Sequence, residues 1–156
     1  MHVSAFDGGV DMTNVDESAL AHLCMCASVR QTGRALTNLY DEILAPSGLR
    51  VMQFSLLAHL ANVDETTLTR LAEVRVIDRT TLTRNLTPLE RDGLVTVTAG
   101  ADRRTRVVRI TDTGRAAMKR AFPYWREAQR QIIAGLGDER FGTLLGEMEA
   151  LRALVR

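Results

Sequence analysis

The segment that decides the fold runs from Thr66 to Thr113 and reads TTLTRLAEVRVIDRTTLTRNLTPLERDGLVTVTAGADRRTRVVRITDT. Its pattern predicts a short helix, a turn, a second helix, a strand, an arginine-rich hairpin and a returning strand, in that order. Such an order suits the recognition of a DNA duplex far better than it suits catalysis.

Both helices of this segment carry start signals. Thr67 is placed to cap the first helix, whose predicted inward residues are Leu68, Leu71, Ala72 and Val74 or Val76. Asp78 is placed to cap the second helix, which Asp92-Gly93 closes and whose predicted inner stripe is Leu82, Leu86 and Leu89. Pro88 removes one backbone hydrogen bond at a cost of about 3 kcal/mol, so we expect a bend or a loosened last turn, although the leucine stripe favours continuity.

The opposite face of the second helix is polar and basic, and consists of Arg79, Thr80, Thr83, Arg84 and Thr87. Such a helix would bury its leucine face and leave its arginine and threonine face free to form hydrogen bonds. After it, residues 94–98 alternate with period two and residues 106–110 do so less cleanly, while residues 99–105 supply turn residues and charge. The sequence therefore predicts a β-hairpin, the wing of a winged helix-turn-helix.

The flanks of the segment are predicted to be helical, which makes the fold mainly α with a small β-hairpin. One long helix covers about residues 16–45 and a second about 50–60, with a polar loop at 62–66. After the wing, Thr111-Asp112 is placed to cap a helix reaching about residue 134, which Gly135 and Gly137 break. A last helix begins at Asp138, with an apolar seam formed by Phe141, Leu144, Leu145, Met148, Leu151 and Val155.

These elements predict three regions. Residues 1–15 form a mobile arm, residues 49–111 the winged helix-turn-helix, and residues 16–48 together with 112–156 a helical dimerisation region. The apolar faces of the helices at the two chain ends must be buried, and one of these faces has no partner within the chain. We therefore expect a second copy of the chain to bury it and complete the helical dimerisation region. A homodimer would present two recognition helices to successive major grooves, about one helical turn apart.

Charge and composition agree with a nucleic-acid partner. The net charge of the 156 residues is only +1, but residues 70–109 carry nine arginines against five acidic residues, whereas residues 1–45 carry two against six. No export signal and no apolar run long enough to span a bilayer are visible, so we expect a cytoplasmic protein. The three histidines are scattered, and no zinc-protease, nucleophile-elbow, phosphate-loop or dinucleotide motif is present. We therefore expect neither an enzyme nor a cofactor or metal.

The chain from about residue 18 to 156 resembles the MarR (multiple-antibiotic-resistance regulator) family of transcription factors. The resemblance rests on Asp102-Arg103-Arg104, which fits the family's D-x-R pattern, on the following 108–114 segment VRITDTG, and on residues 89–95, LERDGLV. It implies a dimeric repressor that binds near-palindromic promoter sites.

The resemblance also assigns roles to residues. Arg104 would enter the minor groove at the wing tip, with Asp102 steadying it or a neighbouring arginine; A·T-rich minor grooves favour such an arginine. The residues implied to face the major groove are Arg79, Thr80, Thr83 and Arg84, and Thr81 and Asn85 would reach phosphates or bases from the flanks. Arg103 and Arg106 complete the predicted DNA-binding set.

A sensor site is the weaker prediction. His22, Cys24 and Cys26 suggest a metal or redox sensor, but position 24 points about 200° away from 22 and 26 on a helix, so one chain cannot gather all three. Buried, structural cysteines are the favoured interpretation. The family resemblance implies a cleft for a small aromatic effector, with candidate lining residues His22, Met25, Met52, His59 and Met118.

Two other functions remain open. The runner-up is a winged-helix module whose dimer binds protein without reading DNA, and an enzyme is a distant third. Binding to a duplex separates the first two.

Overall fold

The computed structural model describes residues 23–102 and 104–155, so the predicted arm, His22 and Arg103 lie outside the described residues. The chain divides into two units, Met1–Asn38 and Leu39–Arg156. In chain order, the described elements are α1 (Met25–Leu44), a 3₁₀ turn (Ala45–Ser47), α2 (Val51–Val63), β1 (Glu65–Thr67), α3 (Leu68–Arg75), α4 (Arg79–Arg91), β2 (Val95–Ala99), β3 (Arg106–Ile110), α5 (Asp112–Leu136) and α6 (Asp138–Leu154). The fold is mainly α with a small sheet, as the sequence predicts.

The sheet is larger than the predicted hairpin. β2 and β3 pair antiparallel, as expected, but β1 adds to the other side of β3, giving the order β1-β3-β2. The prediction of a polar loop at 62–66 is therefore wrong, because α2 continues to Val63 and β1 begins at Glu65, which leaves only Asp64 between them. Three residues are too few to show a period of two, and only the free edge of β3 makes them a strand.

The core of the second unit lies between α2, α3, α4, the sheet and α5. Its fully buried large side chains are Leu44, Leu56, Leu57, Leu60, Leu71, Leu82, Leu89, Val95 and Val108. The inward positions predicted at Leu71 and Ala72 are confirmed, but Val74 and Val76 are exposed. Val76 ends α3 in the left-handed conformation, at φ +51°, so its side chain leaves the helical period that predicted it.

The two closing helices differ in how much they bury. α5 buries Ala117, Ala121 and Ala128, and its half-buried Trp125 stacks on Phe54 with ring centroids 6.0 Å apart. α5 ends at Leu136, two residues later than predicted, because Gly135 stays helical and Gly137 ends the helix. α6 has no buried residue within the single chain, and Leu144 and Leu145 of its predicted seam are exposed. The predicted leftover apolar surface is present.

A close backbone contact joins α5 to the base of the wing. The Thr111 amide donates to the Leu94 carbonyl at 3.1 Å, and the Thr111 hydroxyl caps α5 by accepting from the Gly114 amide at 3.0 Å. A β-carbon built on Gly114 would lie 2.0 Å from the Leu94 carbonyl oxygen. Only glycine fits at position 114, because the atom that would clash belongs to the backbone and cannot rotate away.

The Gly114→Ala variant should therefore lower the free energy of unfolding by at least about 3 kcal/mol, the upper end for overpacked sites. Thermal unfolding followed by circular dichroism measures the change. Gly135→Ala is the matched control, since Gly135 lies in the same helix with nothing within 4 Å of its added β-carbon. That control should hold or gain stability, and equal melting temperatures for the two variants would contradict the contact's importance.

Candidate nucleic-acid interface

The N-terminus of α4 is capped as predicted. Asp78 accepts from the Thr81 amide at 2.8 Å through Oδ1 and from the Thr81 hydroxyl at 2.7 Å through Oδ2. These hydrogen bonds, led by that from the hydroxyl, hold the pKa of the Asp78 carboxyl below its ordinary value. The cap fixes the residue at which α4 begins and hence the direction of every side chain after it.

α4 has one buried and one open face. Leu82, Leu86 and Leu89 are at most 3% exposed, as the predicted stripe requires, and the helix continues past Pro88 to Arg91. The opposite face presents four exposed side chains that line one shallow depression: Arg79, Thr80, Thr83 and Arg84. The structure therefore brings together the four residues assigned to the major groove.

The two flanking candidates are engaged within the helix. The Thr81 hydroxyl donates to the Asp78 cap, and the Asn85 side-chain amide donates to the Thr81 carbonyl at 2.8 Å; both residues are half-buried. The Thr83 hydroxyl also donates inward, to the Arg79 carbonyl at 2.8 Å, but its exposed oxygen keeps room to accept. The open donors of this face are those of the arginines and Thr80.

The tip of the wing is a hydrogen-bonded turn. The Gly100 amide donates to the Thr105 carbonyl and the Thr105 amide to the Asp102 carbonyl, both at 2.8 Å. The Asp102 carboxylate accepts from the backbone amide of Arg104 at 3.0 Å. Asp102 thus holds the backbone at Arg104 and leaves that exposed side chain to point outward.

Arg106 sits one step back from the tip. Its guanidinium donates across the hairpin to the Val97 carbonyl at 3.3 Å, so part of its hydrogen-bonding capacity is used within the wing. The wing and α4 belong to one body, because α4 packs against β2 and the Leu94 amide donates to the Leu89 carbonyl at 2.8 Å.

A cluster of ion pairs at the base of the wing was not predicted. Arg109 of β3 pairs with Glu65 of β1 and lies 3.8 Å from Asp64, and Arg115 of α5 pairs with the same Asp64. Arg109 contributes to the positive charge of residues 70–109, but it is paired with carboxylates within the protein. The partners are 44 and 51 residues apart in sequence, so spacing alone gives no signal for them.

The sensor candidates are less well supported. Cys24 and Cys26 are both exposed in the single chain, which contradicts the interpretation of buried packing residues there; an Arg30 guanidinium nitrogen lies 3.8 Å from the Cys26 sulfur. Within residues 23–102 and 104–155, no group of three or more His, Cys, Asp or Glu side chains is placed to hold a metal ion. Met52 and His59 lie half-buried on α2 and Met118 half-buried on α5. Burial, reinforced by Arg75, lowers the pKa of His59.

The helix-turn-helix and its wing define a winged-helix protein, and comparison with known proteins narrows the class. The family model of the MarR family matches residues 47–105. The M. tuberculosis transcriptional regulator MosR, solved in complex with DNA, is 40% identical, with coverage of 85% of this chain and 98% of that one and a TM-score of 0.73. A second MosR crystal structure gives 37% identity, 86% and 97% coverage and a TM-score of 0.75. A mutant E. coli MarR complexed with operator DNA shares the fold, at 20% identity, 87% and 99% coverage and a TM-score of 0.76.

The chain belongs to the MarR family and is a DNA-binding transcriptional regulator. The family and the structural neighbours are regulators rather than enzymes. No curated protein sequence matches the chain. In the described part of the chain, none of the helices is long and apolar enough to cross a membrane.

Because the pKa of Asp78 is depressed in the folded protein, its charged cap should stabilise fully at neutral pH and lose effect as the pH falls below about 4. Asp78→Asn keeps a capping side chain but cannot ionise. We expect the wild-type protein to melt at a higher temperature than this variant at pH 7, and the gap to shrink at pH 3.5. A gap that does not depend on pH would contradict the role of the charge.

Proposed function

We propose that the chain is a homodimeric, sequence-specific repressor that binds a near-palindromic promoter site and responds to a ligand or to stress. The observation that carries the proposal is the open face of α4, where Arg79, Thr80, Thr83 and Arg84 line one depression opposite three buried leucines. Because α4 is capped at its start and packed along its back, the backbone positions that carry these donors are fixed relative to one another, as base recognition requires.

In the major groove, Arg84 and Arg79 can donate bidentate hydrogen bonds to guanine O6 and N7, and the threonines can reach a base edge or a thymine methyl group. Thr81 and Asn85 would support this face from within the helix rather than contact DNA first, since their side chains bond to α4 itself. Base discrimination is therefore assigned chiefly to the two arginines.

In the minor groove, Arg104 would supply the second contact. The Asp102 carboxylate accepts from the backbone amide of Arg104, so the exposed arginine projects from backbone that is held by hydrogen bonds. Such preorganisation reduces the conformational entropy lost on binding. Arg103 and Arg106 would add positive charge near the phosphates.

A second copy of the chain would cover the apolar surface left by the closing helices. α6 buries no residue alone, and Phe122 and Tyr124 of α5 are also exposed. A two-fold axis would place two copies of α4 on successive major grooves and would match a near-palindromic site. Such a regulator acts where the DNA is, which is why we place it in the cytoplasm.

The nature of the signal has two candidates. A small aromatic effector bound near Met52, His59 and Met118 is one; oxidation or metal binding at Cys24 and Cys26 is the other, favoured by the exposure of both thiols. Peroxide, copper or arsenite should change the DNA affinity of the wild type but not of the Cys24→Ser, Cys26→Ser double variant if the thiols sense. Unchanged wild-type affinity would end the thiol proposal.

We expect the protein to bind a duplex from its own promoter region with an affinity that falls steeply with salt, by about 0.9 in log–log slope for each neutralised phosphate. Arg104→Ala should weaken binding and flatten the slope by about 1.8 units, because both subunits of the dimer lose a contact. Arg84→Ala should relax base preference at one position of each half-site and cost a factor of about 5 to 150 per half-site. Fluorescence anisotropy over a salt series, with a set of single-base variants of the duplex, measures both effects.

Arg50→Ala is the matched control, because Arg50 is an exposed arginine at the start of α2, outside α4, the wing and the closing helices that a second copy would cover. It should leave both affinity and base preference unchanged. Absent or salt-independent binding across the promoter would instead favour the module that binds protein without reading DNA.

A further inference from the structure

Asp64 stands in an unusual backbone conformation. It ends α2 with φ +66° and ψ −55°, a combination found in strained γ-turns and rarely adopted by residues other than glycine. Val76 is the other non-glycine residue with positive φ in the described part of the chain, and its angles lie in the ordinary left-handed region. A strained residue persists where its surroundings hold it, so the contacts of Asp64 are informative.

Those contacts join three elements. The Asp64 amide donates to the Leu60 carbonyl of α2 at 2.8 Å, and the Asp64 carbonyl accepts from the Ile110 amide, the last of β3, at 3.2 Å. The Asp64 carboxylate accepts from Arg115 of α5 and lies 3.8 Å from Arg109 of β3. Arg115 also donates to the Ala61 carbonyl at 3.0 Å, which ties α5 to the end of α2 a second time.

The contacts of Asp64 with α2, β3 and α5 lie at the base of the wing. The next residue, Glu65, begins β1 and stands opposite Arg109 in the antiparallel register, so β1 and the ion pairs hold one edge of β3. The other edge of β3 pairs with β2, and the turn that presents Arg104 joins these two strands. Fixing the base of β3 therefore fixes the direction in which the wing leaves the body of the protein.

Stability alone does not account for the arrangement. The side chain of Asp64 is 58% exposed, against 56% for Arg109 and 33% for Arg115, and ion pairs with so exposed a carboxylate contribute little to folding. The strained backbone acts against stability. The contacts of Asp64 instead fix relative positions, because its one carboxylate connects α2, the central strand β3 and α5.

We propose that Asp64, with Arg115, is a positioning residue for the wing: it sets the angle at which Arg104 meets the DNA without itself touching DNA. The inference rests on the proposed DNA-binding function and deepens it. Asp64 should therefore matter for affinity only while the wing makes its contact.

A double-mutant cycle tests this with the promoter duplex. Asn tolerates positive φ better than most residues, so Asp64→Asn removes the charge while keeping the backbone accessible. It should weaken binding by at least about threefold when Arg104 is present, and by almost nothing in the Arg104→Ala background, since coupled neighbours are non-additive. Arg115→Ala, which removes the pair from the α5 side, should behave in the same way.

Two further variants distinguish an effect on the position of the wing from an effect on folding. Asp64→Gly relieves the backbone strain and removes the carboxylate, so it should melt no lower than wild type yet lose the same affinity. Glu127→Gln removes a carboxylate from an exposed arginine pair on α5, away from the wing, and should change nothing in DNA binding.

Equal losses for Asp64→Asn in both Arg104 backgrounds, or no loss in either, would overturn the positioning role while leaving DNA binding intact. A wild-type protein that does not bind the duplex would overturn the proposed function and this inference together, and wild-type affinity in Arg104→Ala would overturn the wing contact on which it depends.

Discussion

A close backbone contact between Leu94 and residues 111–114 constrains how the elements of the winged helix join. At this point the exit of α4, the start of β2, the end of β3 and the first turn of α5 meet, and the carbonyl of Leu94 accepts from the Thr111 amide. The Thr111 hydroxyl bonds to the Gly93 carbonyl at 2.7 Å and also caps α5. Since the β-carbon of any other residue at 114 would overlap the Leu94 oxygen, the helix can approach this closely only at glycine.

This contact helps to explain how the winged helix holds the open face of α4 in a defined position. α4 is fixed along its back by three leucines, at its start by Asp78 and at its end by the joint at Leu94. Its front can then carry exposed arginines whose role is to bind rather than to stabilise. The wing is attached to the same joint, so both proposed contacts with DNA belong to one packed unit.

Much of this could be predicted from the sequence because the signals are local. Caps at Thr67, Asp78 and Thr111 lie next to the helices they begin, and the leucine stripe of α4 repeats within three turns. The strand β1, the exposure of Val76 and the ion pairs of Asp64 could not be predicted. β1 exists only because β3 offers it an edge, Val76 turns away through a left-handed φ, and the partners of Asp64 are 45 and 51 residues distant. Gly114 belongs to the segment that resembles the family motif, but the reason why glycine is needed there is a carbonyl 20 residues earlier in the chain.

If the proposed function is right, two copies of this winged helix bind one duplex in two-fold symmetry. Hydroxyl-radical footprinting of the promoter region, with the mass of the complex measured by light scattering, tests it most directly. We expect two protected half-sites centred about 10 base pairs apart and two chains per duplex. A single unbroken footprint with one chain per duplex, or no protection at all, would contradict it.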